Sequence, residues 1–284
     1  MILRYLILCL LLVPQLEAQN NPEWTANHQP FRIVGNLYYV GSNDLASYLI
    51  ATPEGLILIN SNLQSSVPQI RHNVEALGFH FNDVKILLIS HAHRDHDAGS
   101  ASIKQLTGAK YEVMDADVPV VESGGKADFF YGGRSLSYTP AKVDRTLHDG
   151  DEVKLGGSIL TAHLTPGHTK GCTTWTMRIT EASRTYNVVI IGSTGINPGY
   201  KLLGDPKYPQ MSADYARTFR TLKSLPCDIF LGAHGSYFAL NEKFAQIRQG
   251  SANPFVDPQG YASFVEDHEQ AYRRELAKQT ATKH

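Results

Sequence analysis

Apolar runs and amphipathic stretches alternate along most of the chain, and their periods predict alternating strands and helices. Residues 84–89 form a largely apolar run, which is typical of a strand buried on both faces of a sheet. In residues 66–77 the apolar side chains recur every three or four positions, which predicts a helix with one buried face. Strands are predicted at 37–40, 46–51, 56–60, 84–89, 111–114, 142–147, 152–155, 158–164, 172–180, 186–191 and 228–232, and helices at 66–77, 98–106, 115–121, 212–224, 241–248 and 259–278.

Residues 124–139 interrupt this alternation with a segment rich in glycine and aromatic side chains, which predicts a long surface loop. Long loops of this kind are often functional. No sequence repeat or low-complexity linker divides the chain. We therefore expect a single α/β domain over residues 19–284, with sheets inside and helices outside.

The first eighteen residues have a different pattern. Arg4 precedes an apolar segment at 5–13, and the stretch ends at a small residue, Ala18. The apolar segment is too short to cross a bilayer comfortably, so residues 1–18 are predicted to be a cleaved signal peptide rather than an uncleaved anchor. The mature chain is therefore expected to be exported and to keep no attachment to the membrane.

Charge and cysteine content narrow the functional classes. The 284 residues include 26 Lys and Arg against 27 Asp and Glu, which gives a net charge of −1. This balance offers no excess of positive charge for a phosphate backbone, so a dedicated nucleic-acid binder is not expected. Two cysteines remain after signal cleavage, Cys172 and Cys227, and the sequence leaves open whether they pair or stay as buried thiols.

Four potential metal ligands follow the predicted strand at 84–89. His91 and His93 are two positions apart in an extended segment and therefore point the same way, while Asp95 and His96 come after a turn and can face a second ion. Imidazole nitrogen and carboxylate oxygen are ligands that zinc prefers. Open α/β sheets place their ligand sites at the carboxyl ends of strands, which is where this cluster lies.

Two further histidines follow later strands, with glycine beside each. His168 follows the strand at 158–164, and His234 follows the strand at 228–232. The six side chains predict one site with three histidines and another with one aspartate and two histidines, each with room for water. The other histidines are expected to be solvated or hydrogen-bonded, and they are His28, His72, His80, His148, His163, His268 and His284.

The His-x-His-x-Asp-His motif, with the two later histidines, resembles the metallo-β-lactamase superfamily, and the likeness runs across nearly all of the mature chain. The resemblance implies an αβ/βα four-layer sandwich, in which two sheets pack face to face between external helices. It also implies two zinc ions per chain. The first would be held by His91, His93 and His168, and the second by Asp95, His96 and His234.

The residue after Gly192 separates branches of this superfamily. Many of its hydrolases have a bridging aspartate there and one lactamase subclass has a cysteine, whereas this chain has Ser193. Serine here, followed by Asn-Pro-Gly-Tyr-Lys-Leu at 197–202, is similar to subclass B3 metallo-β-lactamases. The chain departs from that subclass at residues 60–62, Asn-Ser-Asn instead of the frequent Asp-Gly-Gly, although Asn60 can support the floor of the site without a charge. It also has no cysteine after Cys227.

The resemblance implies an enzyme that hydrolyses the amide bond of penicillins, cephalosporins and carbapenems through a zinc-bound hydroxide, and so gives antibiotic resistance. The signal peptide predicts a periplasmic location. The sequence carries no signal for the oligomeric state, and a monomer is the default expectation. Asp95 would also orient the nucleophile. Ser193 and Asn197 are candidates to bind the substrate carboxylate, and the aromatic side chains at 129–131 either cover the substrate or pack locally. Lys201 is expected to be a solvated surface lysine rather than a carboxylate-binding cation.

Three alternatives are weighed against this interpretation. A lactone, thioester or phosphoester hydrolase of the same superfamily would use the same ions, but Ser193 in place of a bridging aspartate disfavours it. A mononuclear iron dioxygenase would need fewer than six ligands. A non-enzymatic zinc module is disfavoured because structural zinc sites are usually closed and rich in cysteine.

Overall fold

A computed structural model of the chain describes residues 21–132, 137–249 and 252–282, so the predicted signal peptide lies outside the described residues. The first sheet has seven strands in chain order, with antiparallel pairing among its first four and parallel pairing from the fourth to the seventh. These strands are β1 Phe31–Val34, β2 Leu37–Tyr39, β3 Tyr48–Thr52, β4 Gly55–Ile59, β5 Val84–Leu88, β6 Lys110–Met114 and β7 Arg145–Leu147.

The second sheet has five strands in the order β12-β11-β10-β9-β8, and its parallel pair is β11 with β12. Its strands are β8 Glu152–Leu155, β9 Ser158–Leu164, β10 Thr173–Glu181, β11 Arg184–Ile191 and β12 Ile229–Gly232. The α-helices are α1 Val67–Ala76, α2 Arg94–Asp97, α3 Ser100–Thr107, α4 Val118–Glu122, α5 Met211–Ser224, α6 Leu240–Arg248 and α7 Pro258–Ala281.

The two central strands of the first sheet are buried on both faces. Ile57 of β4 and Leu88 of β5 pack into a core shared with the second sheet, whereas Leu58 and Leu87, on the opposite face, pack into a core shared with α1 and α3. Side chains alternate between faces along a strand, so a largely apolar run satisfies both cores at once. The predicted α/β sandwich of two face-to-face sheets with external helices is confirmed.

Several predicted boundaries are wrong in detail. β1 was not predicted, although Gly35 and Asn36 form a turn that pairs it with β2. The predicted strand at 56–60 ends at Ile59 because Asn60 has a φ of 65° and leaves the sheet. The predicted turn after His93 is the single helical turn α2. Further corrections are a strand starting at Tyr48 rather than 46, a strand starting at Arg145 rather than 142, and a helix starting at Ser100 rather than 98. The last helix ends at Ala281 rather than 278, and a 3₁₀ turn, Asp115–Asp117, followed by α4 replaces one helix at 115–121.

Cys172 and Cys227 are both free in the structure, and the Cys172 thiol is fully buried and donates to the backbone carbonyl of Ser193 over 3.5 Å. Within the described part of the chain, none of the helices combines the length and the apolar character that a bilayer span requires.

Candidate metal centre

The predicted ligands meet where β5, β9 and β12 end. His91 and His93 lie in the loop after β5, and Asn60 holds the start of this loop because its Oδ1 accepts from the backbone N–H of Ser90 over 2.7 Å. The sequence predicted this uncharged support. His168 follows β9 and His234 follows β12. All six predicted ligands therefore converge from the three loops.

The first group consists of His91, His93 and His168, whose ligand nitrogens all lie within 4.8 Å of one another. His93 Nδ1 is 3.1 Å from His168 Nε2. His168 Nδ1 is 2.7 Å from the carbonyl oxygen of Gly195, so Nδ1 is the donor and Nε2 keeps its lone pair toward the group. The preceding residue, Gly167, has a φ of 134°, and an added Cβ would come within 2.8 Å of the Tyr215 ring.

The second group lies directly beside the first. His96 Nε2 is 3.2 Å from both Asp95 Oδ2 and His234 Nε2, and His234 Nε2 is 3.6 Å from Asp95 Oδ2. Ligand atoms of His91, Asp95 and His96 also lie within 4.8 Å of one another, so His91 adjoins both groups. The two predicted sites therefore share one continuous cluster of donor atoms.

Burial keeps the imidazoles of the first group neutral. Desolvation lowers the pKa of His93 to about 4 and that of His168 to about 3, and together with the neighbouring histidines it holds the pKa of His91 well below its usual value. Burial alone would raise the pKa of Asp95, but His96 and His234 outweigh it, so the pKa is lowered and the carboxylate is ionised. Neutral imidazole and ionised carboxylate are the forms that bind a metal.

The donor set fits zinc. His91 Nε2 is buried and has no hydrogen-bond partner among the described residues, as expected of a nitrogen that serves a metal. Two ligands about 2.05 Å from a tetrahedral zinc ion lie about 3.3 Å apart. The 3.1 Å and 3.2 Å nitrogen separations in the two groups are close to that value.

Asp44 supports the second group, and no sequence pattern singles it out. His234 Nδ1 donates to Asp44 Oδ2 over 3.0 Å, which leaves His234 Nε2 free to face His96. Asp44 also accepts from the backbone N–H of Ser236 over 2.9 Å and from Trp24 Nε1 over 3.1 Å. Burial would raise the pKa of Asp44, but the interaction with His234 outweighs it and lowers the pKa, so the acceptor is a carboxylate.

An open cleft lies above both groups. The predicted loop at 124–139 contributes Tyr131 and Tyr138 to its wall, and Trp24 and Tyr237 also line it. Arg94 is the one Lys or Arg side chain among the described residues that line this cleft, and no ion pair within the described chain engages it.

Of the two predicted substrate-binding residues, one lines the cleft and the other is buried behind its wall. Asn197 lines the cleft, and its Nδ2 donates to the hydroxyls of Tyr131 and Tyr200 over 3.0 Å and 3.3 Å. Ser193 is buried, and its Oγ lies 3.3 Å from the hydroxyl of the cleft residue Tyr237. Phe129 is buried against other aromatic rings, as local packing requires, and Lys201 is exposed outside the cleft.

Comparisons with known proteins identify a family and related structures. The family model of the metallo-beta-lactamase superfamily matches residues 45–234. Native FEZ-1 metallo-beta-lactamase from Legionella gormanii is 54% identical, with 90% of this chain and 98% of that chain covered and a TM-score of 0.89. BJP-1, a subclass B3 metallo-beta-lactamase of Bradyrhizobium japonicum, is 36% identical, with coverages of 92% and 98% and a TM-score of 0.86.

Curated sequences give more distant matches. A probable metallo-hydrolase from Burkholderia pseudomallei is 31% identical over 140 residues, which are 48% of this chain. The chain spans only 45% of the length of that relative. Hydroxyacylglutathione hydrolases from Bradyrhizobium also match, at 27% identity.

Proposed function

The chain belongs to the metallo-β-lactamase superfamily, and from this premise we propose that it is a zinc-dependent hydrolase of the β-lactam amide bond. The observation that carries the proposal is the pair of adjacent donor groups, imidazoles with one ionised carboxylate, at the floor of an open cleft. We assign His91, His93 and His168 to a first zinc ion. We assign Asp95, His96 and His234 to a second.

Zinc ions, when bound to these groups, would supply a Lewis acid for the lactam carbonyl and a water of lowered pKa. Asp95, ionised and partly exposed at the cleft floor, accepts a hydrogen bond from the attacking water and so orients it. Arg94 attracts the carboxylate that β-lactam antibiotics carry. Asn197, held by two tyrosine hydroxyls, and Ser193, reached through Tyr237, complete the polar contacts. The ring of Tyr131 covers the substrate beside His93.

Other substrates of the superfamily are less well supported. A thioester hydrolase is suggested by the match to hydroxyacylglutathione hydrolases, but that match is at 27% identity, against 54% for FEZ-1. Ser193 also stands where many hydrolases of the superfamily have aspartate, and here it is buried behind Tyr237. β-Lactam hydrolysis, with penicillins, cephalosporins and carbapenems as candidate substrates, is therefore the function we favour.

We further propose that the enzyme acts in the periplasm as a monomer and protects the cell from β-lactam antibiotics. Support for export comes from the sequence of residues 1–18 alone, with one basic residue, a short apolar segment and a small terminal residue. The balanced charge supports the expectation that nucleic acid is not a partner.

Ring opening by the purified mature chain tests the proposed function. We expect hydrolysis of a penicillin, a cephalosporin and a carbapenem with zinc, loss of activity after chelation, and recovery when zinc is restored. His91→Ala should abolish hydrolysis, while His148→Ala, which changes an exposed histidine outside the site, should not. A folded, zinc-loaded chain that opens no lactam ring but cleaves a thioester or lactone would refute the proposal.

A further inference from the structure

Asp117 is a buried acid that the proposed function does not yet use. It ends the 3₁₀ turn Asp115–Asp117, between β6 and α4, and the residue is 1% exposed. No Lys or Arg of the described chain forms an ion pair with it. Burial raises the pKa of the Asp117 carboxyl to about 6. The charge of this carboxylate therefore does not stabilise the folded chain.

The carboxylate of Asp117 connects the two loops that carry the first group of histidines. Its Oδ2 accepts from the backbone N–H of Ala92 over 2.9 Å, and Ala92 lies between His91 and His93. The same oxygen accepts from Thr169 Oγ1 over 2.9 Å, directly after His168. Its Oδ1 accepts from the backbone N–H of Gly171 over 2.8 Å. A single buried side chain is thus hydrogen-bonded to both loops.

The contact with the second loop is also sterically tight. A Cβ added at Gly171 would lie 2.5 Å from the backbone nitrogen of Asp117 and 2.7 Å from its Cγ. Glycine at 171 therefore allows the loop to approach the carboxylate closely, and a larger residue would displace one of them.

We propose that Asp117 is a positioning residue for the first zinc ion, because it fixes all three first-group histidines through Ala92, Thr169 and Gly171. This inference rests on the proposed metal centre. Residues that orient metal ligands typically change metal affinity by about 10- to 100-fold when they are substituted. The second group has its own support in Asp44, so the effect of Asp117 should be confined to the first ion.

Zinc affinity measured by competition with a chelator tests this inference without any substrate. We expect Asp117→Asn to weaken one of the two zinc ions by about 10- to 100-fold, and Thr169→Val, which removes a single donor, to weaken the same ion less. Asp115→Asn, in the same turn but exposed, is the matched control and should bind zinc as the native chain does. Thr169→Val keeps Asp117 and carries the test if Asp117→Asn does not fold.

A double-mutant cycle separates positioning from general stability. In a His93→Ala chain, where the first group is already broken, Asp117→Asn should cause no further loss of zinc affinity. In a His96→Ala chain it should cause its full effect. Equal losses of zinc affinity in both backgrounds would overturn the inference about Asp117 alone. The same holds if the native chain binds two ions and neither Asp117→Asn nor Thr169→Val changes the affinity for either ion. A native chain that takes up no zinc would overturn the proposed function as well.

Discussion

Replacing Asp44 by asparagine removes a charge at the second group while it keeps the size of the side chain. Asp44 uses both carboxylate oxygens, since Oδ2 accepts from His234 and Trp24 and Oδ1 accepts from the backbone of Ser236. Asparagine has one acceptor oxygen, and its amide nitrogen can only donate. One side of the new amide must therefore face a donor.

Both orientations of the new amide are unfavourable. If the amide oxygen faces Ser236, the amide N–H₂ faces His234 Nδ1 and favours the tautomer with its proton on Nε2, which is the nitrogen directed at His96. If the oxygen faces His234, the N–H₂ opposes the N–H of Ser236. Loss of a charge-assisted hydrogen bond costs about 1.5–3 kcal/mol. At about 1.4 kcal/mol per factor of ten, this lowers the affinity for the second zinc ion by about 10- to 100-fold.

The assay is titration of zinc into metal-free chain in competition with a chromophoric chelator, followed by lactam hydrolysis at limiting zinc. We expect Asp44→Asn to retain one tightly bound ion and to lose the second. Asp115→Asn is the matched control, because it breaks an exposed Asp–His pair of 3.2 Å outside both ligand groups. Two ions bound with native affinity, or equal weakening of both, would show that Asp44 does not orient His234 as argued.

Two further predictions concern substrate charge and acid stability. Arg94→Gln should lower kcat/KM for a cephalosporin with a free carboxylate by about tenfold, because one charge-assisted hydrogen bond is lost. The same substitution should change kcat/KM for the methyl ester of that compound little, and a Lys201→Gln control should have little effect on either substrate. A similar loss of kcat/KM on the ester would refute carboxylate binding by Arg94. Asp257 caps α7 by accepting from the backbone N–H of Gly260, and it pairs with the buried Lys243 over 2.6 Å. Burial alone would raise the pKa of Asp257, but these contacts outweigh it and lower the pKa below its value in the unfolded chain. The stabilisation by the Asp257 carboxylate is therefore present at neutral pH and is lost as pH falls below about 4. Asp257→Asn should therefore cost about 1–2 kcal/mol in urea unfolding of the metal-free chain at pH 7 and progressively less below about pH 4, and a pH-independent difference would contradict this assignment.

Hydrophobic period was sufficient to predict an α/β domain with sheets inside and helices outside, whereas the face-to-face packing of two sheets was implied by the resemblance to the metallo-β-lactamase superfamily. The run at 84–89 satisfies cores on two faces, and this property is visible in a single sequence because it constrains nearly every position of β5. β1 was not predicted, and its pairing with β2 depends on a turn at Gly35, which the apolar pattern does not report. Boundaries such as that at Asn60 depend on backbone conformation, which the apolar pattern does not report.

The histidines that we propose as ligands could be singled out for a different reason. Few side-chain types bind zinc, so three histidines and an aspartate within six consecutive residues just after a strand are informative without any knowledge of the fold. Arg94 was not singled out from the sequence. It is a candidate for binding the substrate carboxylate because no other Lys or Arg is among the described residues that line the cleft, and only the assembled cleft shows this.

Asp44 and Asp117 could not be recognised in the same way. Each is separated from the residues it supports, Asp44 by 190 positions from His234 and Asp117 by 52 positions from Thr169, and each lies in a turn where aspartate is common for local reasons. Tertiary packing alone gives them their partners. Because Asp44 contacts the second group and Asp117 contacts the loops of the first, the two supports are physically separate. The two zinc affinities should therefore respond independently to substitutions at 44 and 117, although His91 adjoins both groups.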